Sequence, residues 1–282
     1  MTREQPGARE SATATETATE TATYVYAVCR LLDPAALSGL AGLAADFPVR
    51  TLPVGPLTAV VQHVPAAGFT EDAWQQRLSD RAELERCARA HHEVVTAAAA
   101  CGPTVPLALA TLYRGDERAQ QALGADRDRF AAALARIEGH AEWGVKVSLP
   151  ATVSDVSEAP QSAPPAPPRS GGRTSGGAGR AYLERKRGLH QAREQHHDRA
   201  LRAAEDIDAA LSRLATATRR LRPHSPEMTG ERHRLQVLNA AYLVRTVREK
   251  ELLDAVQLLR RRTGAEVEVS GPWVPYSFAG EV

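Results

Sequence analysis

A proline- and glycine-rich stretch interrupts the chain just past its midpoint. Residues 163–172 read Ala-Pro-Pro-Ala-Pro-Pro-Arg-Ser-Gly-Gly. Proline runs are extended and semi-stiff, Gly/Ser runs are flexible, and neither can bury a hydrophobic core. The sequence therefore predicts a linker over 151–179 that divides the 282 residues into two domains of modest size.

The part before the linker, residues 23–150, is predicted to be an α+β domain. Residues 1–22 repeat Thr-Ala-Thr-Glu with almost no large apolar side chain, which predicts a disordered tail. The patterns that follow predict, in chain order, a strand at 24–29, a short helix from Pro34 to about Ala45, strands at 49–54 and 57–64, a helix capped by Thr70, a helix at 81–100, a buried strand at 104–109, helices at 116–123 and 126–138, and a strand at 142–149. This order matches a ferredoxin-like split βαβ sheet with its helices on one face.

The part after the linker, residues 180–282, is predicted to be a second α+β domain. It opens with a long amphipathic helix from Arg180 to about Leu221. An apolar stripe with heptad-like spacing supports this helix, with the members Ala200, Ile207, Leu214 and Leu221. A strand at 234–243, a helix at 246–262 and a closing strand from Glu266 are predicted to complete the domain.

The sequence assembles no catalytic, cofactor or metal site. The glycine-rich run at 171–179 precedes a helix as a phosphate loop does, but no strand leads into it and it lacks Gly-Lys-Ser/Thr. The three histidines of the long helix, His190, His196 and His197, lack the four-residue spacing that commonly places two metal ligands on one helix face. We therefore expect a protein that is not an enzyme.

The remaining composition points to a reduced cytoplasmic setting. Cys29, Cys87 and Cys101 are isolated thiols without the spacing of a disulfide framework or a zinc ribbon. No stretch approaches 18 uninterrupted apolar residues, and the first residues contain no apolar secretion signal. We expect neither a membrane span nor secretion.

Charge is distributed unevenly along the chain, although the net charge is only +1. Residues 1–150 hold 14 basic and 18 acidic side chains, whereas residues 180–262 hold 19 basic and 11 acidic ones. A basic second half would suit a helical scaffold that binds nucleic acid or an acidic protein partner, and this is the alternative function. Acidic residues are interleaved throughout, so a solvated helix surface is the simpler interpretation.

The closing strand leads into the most informative stretch of the sequence. Val and Glu alternate over 266–269 as in a half-buried strand, which Gly271-Pro272 is expected to end. Trp273, Tyr276 and Phe278 follow within six residues, although aromatic residues make up only 5% of the chain. We expect this tail to pack against the second domain, with a buried Trp273, in preference to direct contact with a partner.

Several blocks of the sequence, in the right order, resemble the gas vesicle protein F/L family. The ending Gly-Pro-Trp-Val-Pro-Tyr-Ser-Phe at 271–278 is similar to that family's G-P-W-x-P-Y-x-F sequence. The other matching blocks are Tyr-Val-Tyr at 24–26, Gly-Pro-Thr-Val-Pro-Leu at 102–107, Glu-Trp-Gly-Val-Lys-Val at 142–147, Gly-Arg-Ala-Tyr-Leu at 179–183 and Asn-Ala-Ala-Tyr-Leu-Val at 239–244. The resemblance covers residues 23–279 and departs at 108–113, where the family's R-F-G-T-V-F is Ala-Leu-Ala-Thr-Leu-Tyr.

The resemblance implies a two-domain, non-enzymatic accessory protein without a cofactor that acts in forming gas vesicles, which are gas-filled protein shells in the cytoplasm. The implied partners are the small hydrophobic major shell protein and other gas vesicle accessory proteins. We hypothesise that an open sheet edge, or the helix face beside it, takes the shell subunit. The residues that match the family, as structural or partner-contact positions, are Trp143, Lys146, Tyr182, Leu183, Tyr242, Gly271, Pro272, Trp273, Pro275, Tyr276 and Phe278.

Overall fold

The chain forms two antiparallel sheets with helices packed against them. The computed structural model describes residues 21–150, 175–222 and 234–279. The tail predicted at 1–22 and the linker predicted at 151–179 lie outside the described residues, except that 21–22 begin the first strand and 175–179 begin a helix. The predicted α+β class is confirmed. The predicted domain boundaries stay a prediction.

The first sheet has the strand order β2-β3-β1-β4, and β5 pairs with the opposite half of β1 from β4. These strands are β1 (Thr21–Cys29), β2 (Val49–Val54), β3 (Leu57–Pro65), β4 (Thr104–Pro106) and β5 (Leu112–Tyr113). The strand predicted at 104–109 is shorter than expected, and the other three are confirmed. The ferredoxin-like description stays a prediction, because the first crossover contains a 3₁₀ turn in place of an α-helix and β5 adds a strand.

The prediction that the helices cover one face of this sheet is wrong. One face packs against α2 (Arg81–Cys101), which follows the short α1 (Glu71–Ser79), and the other packs against α3 (Asp116–Ala125) and α4 (Arg127–Ile137). Every residue of β1 from Thr23 to Cys29 is therefore buried. A β-bulge between Val25 and Ala27 shifts the alternation of side chains along the strand. The uninterrupted apolar run at 24–29 is the sequence pattern of a strand covered on both faces.

The helix predicted from Pro34 to about Ala45 is also wrong, because only Pro34–Leu37 forms a 3₁₀ turn. The rest of this crossover is held by the buried side chain of Gln62 on β3. Its Nε2 donates to the carbonyls of residues 41, 44 and 47, and its Oε1 accepts from the Leu43 amide and the Tyr26 hydroxyl. One buried amide thus supplies the backbone partners that a helix would otherwise provide.

The second sheet has the strand order β7-β8-β6-β9. Its strands are β6 (His140–Pro150), β7 (Ala217–Arg220), β8 (Arg234–Arg245) and β9 (Glu266–Trp273), and its helices are α5 (Ser175–Ser212), α6 (Glu249–Thr263) and the short α7 (Tyr276–Ala279). The strand predicted at 142–149 exists, but its assignment to the first sheet is wrong, because β6 pairs with β8 and β9. Trp143, Val145 and Val147 alternate into the core beneath α5 and α6.

The long helix ends earlier than predicted. α5 stops at Ser212, and Ala217–Arg220 forms β7 on the edge of the sheet instead of a further helical turn. The Thr216 amide donates to the Leu243 carbonyl and starts the pairing with β8. Ala200 and Ile207 of the apolar stripe are buried and Leu214 packs half-buried against the core, whereas Leu221 is 39% exposed. β-Branched threonines and pairing with β8 override the helical pattern here.

A buried carboxylate ties this edge strand to the helix. Asp208 of α5 accepts one hydrogen bond from the Tyr242 hydroxyl of β8, at 2.7 Å, and an ion pair from Arg220 of β7. The same carboxylate therefore holds three elements of the second sheet.

No described helix, α5 included, has the length and apolar character needed to cross a membrane.

We predict that Gln62→Leu lowers the free energy of unfolding by about 3 kcal/mol, because it leaves several buried backbone groups of the crossover without partners. Urea denaturation measures this. The exposed Gln75 of α1 provides the control, since Gln75→Leu is expected to change stability by less than about 0.5 kcal/mol. Equal effects of the two substitutions would contradict the role assigned to Gln62.

Candidate functional site

The C-terminal tail segment, which we define as residues 271–279, lies between the two sheets. Val274 and Tyr276 pack against the core of the first sheet that includes α2. Phe278 packs against β8 of the second sheet, and Ala279 joins the core beneath α3 and α4. The tail thus contacts the second sheet, against which it was expected to pack, and also the first sheet, which that expectation did not include.

A glycine at the start of the segment permits a close approach to β6. Gly271 has φ +134°, and a Cβ at this position would lie 2.8 Å from the Glu142 carbonyl and 3.0 Å from the indole of Trp143. Any other residue would therefore both strain the backbone and clash with β6. The strand does not end at Gly271-Pro272, as the sequence suggested, but continues with an irregular register through Trp273.

The central polar anchor of the tail segment is Glu142 of β6, which is only 9% exposed. Its carboxylate accepts hydrogen bonds from the Ser277 amide, at 2.7 Å, and from the Ser277 hydroxyl, at 2.6 Å. Burial raises the pKa of Glu142, and the bonds from Ser277 together with the charge of Arg219 oppose that rise. The bonds from Ser277 thus satisfy a carboxylate that would otherwise be costly to bury.

Two arginines hold the carbonyls of the tail segment. Arg219 of β7 donates to the Ser277 carbonyl at 2.6 Å, and Arg136 of α4 donates to the Phe278 carbonyl at 2.5 Å. One arginine thus belongs to the second sheet and the other to a helix of the first. The segment is therefore bonded to both halves of the protein through its backbone.

Trp273 is the member of the aromatic trio that faces outward. It is 45% exposed, so the expectation of a buried tryptophan is wrong. Its indole lies against the imidazole of His92, with ring centroids 5.6 Å apart in an edge-to-face arrangement. His92 also lies 3.3 Å from the Tyr276 hydroxyl, measured from its Nδ1. The middle of α2 thus supports two of the three aromatic side chains.

Trp273 borders an open groove of about 350 Å³ between the two halves of the protein. Its walls come from the end of α2 and the loop to β4, the α4–β6 junction, Thr246 and the tail segment from Trp273 to Pro275. Leu31 and Val247 are each 83% exposed. Val247 follows Thr246, and Leu31 follows Arg30, whose guanidinium pairs with Glu138 of the groove at 2.9 Å. We call these three apolar side chains, with the groove, the apolar rim.

The remaining residues that match the family lie either in the second core or on the surface. Trp143 and Tyr242 are buried in the second core. The Nζ of Lys146 on β6 lies 3.8 Å from a carboxylate oxygen of Glu268 on β9, in a half-exposed ion pair. Leu183 is 55% exposed near the start of α5, and the side chain of its neighbour Tyr182 lies outside the described part. The structure does not bring these residues together into one site.

Within the described ranges, no three or more His, Cys, Asp or Glu side chains come together as a metal site would require. His91, which lies one residue before His92, is buried in α2, where its Nδ1 lies 2.8 Å from the Tyr24 hydroxyl. The Ala110 amide also donates to that hydroxyl, so the hydroxyl proton points to the imidazole. The other ring nitrogen, Nε2, is buried without a hydrogen-bond partner among the described residues, so this buried network is satisfied on one side of the imidazole only.

Sequence reasoning found the aromatic side chains of this region but missed their polar anchors. Both Glu142 and Ser277 lie in blocks that match the family. The sequence pattern presents Glu142 only as a residue of a strand, and Ser277 occupies the variable position of the family's ending. Arg136 and Arg219 carried no signal, because arginine is abundant on the surfaces of both halves. Their partners are backbone carbonyls far away in sequence, and no local pattern identifies such pairs.

Comparison with known sequences matches the chain to the family described as gas vesicle synthesis protein GvpL/GvpF over residues 22–280. Gas vesicle protein L from Streptomyces sp. (strain CB03234) is 36% identical over 258 residues, which cover 91% of this chain and 92% of that protein. Gas vesicle protein L1 from Halobacterium salinarum is 23% identical over 293 residues, covering 100% of this chain and 99% of that protein.

Solved structures of gas vesicle protein GvpF share the fold. The crystal structure of GvpF from Anabaena sp. PCC7120 has a TM-score of 0.61 at 15% identity, covering 92% of this chain and 96% of that one. The crystal structure of GvpF from Microcystis aeruginosa has a TM-score of 0.59 at 17% identity, covering 92% of this chain and 98% of that one. At these identities the likeness shows the fold alone.

We predict that Ser277→Ala lowers the free energy of unfolding by about 2 kcal/mol, since it removes a hydrogen bond to a buried carboxylate. A double-mutant cycle with Glu142→Ala should give a coupling energy of about 1–2 kcal/mol. As a control, Lys146→Ala removes a half-exposed ion pair and is expected to cost less than about 1 kcal/mol. Additive effects of the Ser277 and Glu142 substitutions would argue against the anchor.

Stability is predicted to depend on pH through His91. Burial lowers the pKa of His91 to about 4, with the Leu107 backbone opposing that effect. The neutral imidazole therefore stabilises the native state fully above its ordinary pKa near 6.5, and this contribution is lost as the pH falls from there towards 4. Between pH 7 and pH 4.5 the loss should be on the order of 2 kcal/mol.

The variant His91→Gln isolates the contribution of His91 to the pH dependence of stability, because the amide oxygen still accepts a hydrogen bond from Tyr24 but does not titrate. Urea denaturation at pH 7 and pH 4.5 should show a smaller loss of stability in His91→Gln than in the parent protein. The same loss in both proteins would show that other groups are responsible.

Proposed function

Because this chain belongs to the GvpL/GvpF family of gas vesicle synthesis proteins, we propose that it is a non-enzymatic accessory protein that binds the small hydrophobic shell protein during gas vesicle assembly. Such a shell subunit exposes apolar surface and strand edges until it is incorporated, and both promote aggregation in water. The task of this protein is then to cover that surface and to release the subunit to the growing shell. It works in the cytoplasm, at the gas vesicle and with other accessory proteins.

The observation that supports this proposal is the apolar rim. Trp273, 45% exposed, lines the groove. Val247 and Leu31, each 83% exposed, adjoin in sequence a residue that lines the groove, Thr246, and a residue that pairs with its Glu138, Arg30. Exposed aromatic and aliphatic side chains beside a concave surface are typical of protein contact sites. Trp273 has the geometry of an anchor residue, since His92 supports one side of its indole while the other remains accessible.

Groove binding is a better fit than strand addition to a sheet edge. The outer edge of the first sheet is β2, which contains Pro53 and has α3 packed beside it. At the edge formed by β9, Arg260 of α6 already donates to the Val267 carbonyl, and Glu266 and Glu268 are exposed. Proline and charged residues are the means by which natural sheets protect their edges. We therefore favour the apolar rim over either edge as the contact surface.

We predict that Trp273→Ala abolishes retention of the shell protein in co-purification and prevents gas vesicle formation when it replaces the parent gene. The free energy of unfolding should fall by less than about 2 kcal/mol, because almost half of the side chain is already in water. Phe278→Ala should instead cost about 3–4 kcal/mol, since that ring is buried.

Leu258 of α6 provides the matched control, because it is 49% exposed and lies outside the rim. Leu258→Ala should retain the shell protein and support gas vesicles, which phase-contrast microscopy detects. If Trp273→Ala cells form gas vesicles as the parent does and the purified variant retains the shell protein, the rim is not the contact surface. If the parent protein itself fails to retain it at low and at moderate salt, the proposed function is wrong.

A further inference from the structure

The N-terminal two-thirds of α5 form a helical arm whose described side chains are almost all exposed. α5 has 38 residues, which correspond to about 57 Å of helix. Buried residues begin only at Ala200. From Arg180 to Arg199, every described side chain is exposed apart from the half-buried His196. We call residues 175–199 the arm.

The two faces of the arm differ in charge. Residues spaced by three, four or seven positions share a helix face. By this spacing Arg185, Lys186, Leu189, His196 and Arg199 lie on the face that continues as the buried stripe Ala200, Ala203, Ile207 and Leu211. All the acidic residues of the arm lie on the opposite face, and they are Glu184, Glu194 and Asp198.

The opposite face carries charges of both signs. Arg180 pairs with Glu184 at 3.4 Å, and His190 lies 3.4 Å from Glu194. No ion pair is present for Arg185, Lys186 or Arg199 among the described side chains. The face that continues the buried stripe is therefore purely basic, with Leu189, 45% exposed, at its centre.

The described side chains of the arm are solvated, as the simpler interpretation of the sequence expected. The helix geometry adds that the acidic residues are confined to one face, whereas basic residues occur on both. Nucleation is the costly step of helix formation, and here the packed segment from Ala200 onwards supplies the nucleus from which the arm extends. The arm is thus a preformed basic surface, held in place where the second sheet ends.

We propose that the basic face of the arm seats an acidic amphipathic helix of a partner protein in gas vesicle assembly, an inference that rests on the function proposed above. The charge requires an acidic partner. The exposed Leu189 at the centre favours a helix with an apolar stripe over nucleic acid, because a phosphate backbone offers no apolar surface to match it. The partner helix would continue, on the arm, the packing that sheet and α6 give to the rest of α5.

Two double variants on adjacent turns of the same helix test the proposal. Arg185→Glu/Lys186→Glu reverses the basic face, and Arg180→Glu/Arg187→Glu reverses the same number of charges on the opposite face. Both leave the packed part of α5 unchanged, and circular dichroism and thermal denaturation check that the fold is retained. Each variant is expressed in a gas vesicle-forming strain that lacks its own copy of this gene.

The expected result is normal gas vesicles with the parent protein and the opposite-face variant, and at least a tenfold lower yield with the basic-face variant. Equal yields from the two variants, whether both normal or both low, would overturn the proposal. Failure of the parent protein itself to restore gas vesicles would instead overturn the proposed function. The two failures are therefore distinguishable.

A binding measurement identifies the chemistry of the ligand. The probes are a synthetic amphipathic helical peptide with leucine at heptad spacing and glutamate on its flanks, the same peptide with lysine in place of glutamate, and a 20-base-pair DNA duplex. Binding of the glutamate peptide alone, weakened at least tenfold by the basic-face variant and not by the control, supports the proposal. Tighter binding of the duplex, or no preference between the peptides, would contradict it.

Discussion

The structure depends on a carboxylate that is buried where the two sheets meet. Glu142 belongs to a central strand of the second sheet, yet its partner is Ser277 in a tail segment that also packs against the first sheet. Because an unpaired carboxylate at this position would be costly, folding of β6 and docking of the tail segment favour each other. The outward position of Trp273 and the groove beside it both follow from where this anchor holds the chain.

Most elements of the fold could be predicted from local patterns, because helix caps, apolar spacing and β-branched runs act within a few residues. β1 to β3, α2 to α4 and α6 are close to their predicted positions. The errors concern choices made by tertiary contacts. The side-chain amide of Gln62 holds a segment that was predicted to be helical. Strand pairing with β8 ends α5 earlier than predicted, and β6 joins the second sheet although it precedes the linker. No periodicity in the chain contains that information.

The sequence identified the aromatic residues of the candidate site but did not predict how they are arranged. The cluster of Trp273, Tyr276 and Phe278 predicted a tail that packs against the protein. The resemblance to a family suggested that this tail belongs to a functional region. Which ring faces water could not be predicted, because that depends on support from His92 and on the close approach of Gly271 to β6. For the proposed function, the exposure of a side chain matters more than its reactivity, because a protein partner is bound through accessible side chains.

Amide hydrogen exchange at Ser277 tests the central claim most directly, because that N–H donates to a buried carboxylate only if the tail segment is docked between the sheets. The account predicts that Ser277 exchanges as slowly as the paired amides of β6 and β8, since opening it requires separation of the two halves. Exchange at the rate of an unstructured peptide, while β6 and β8 remain protected, would contradict it.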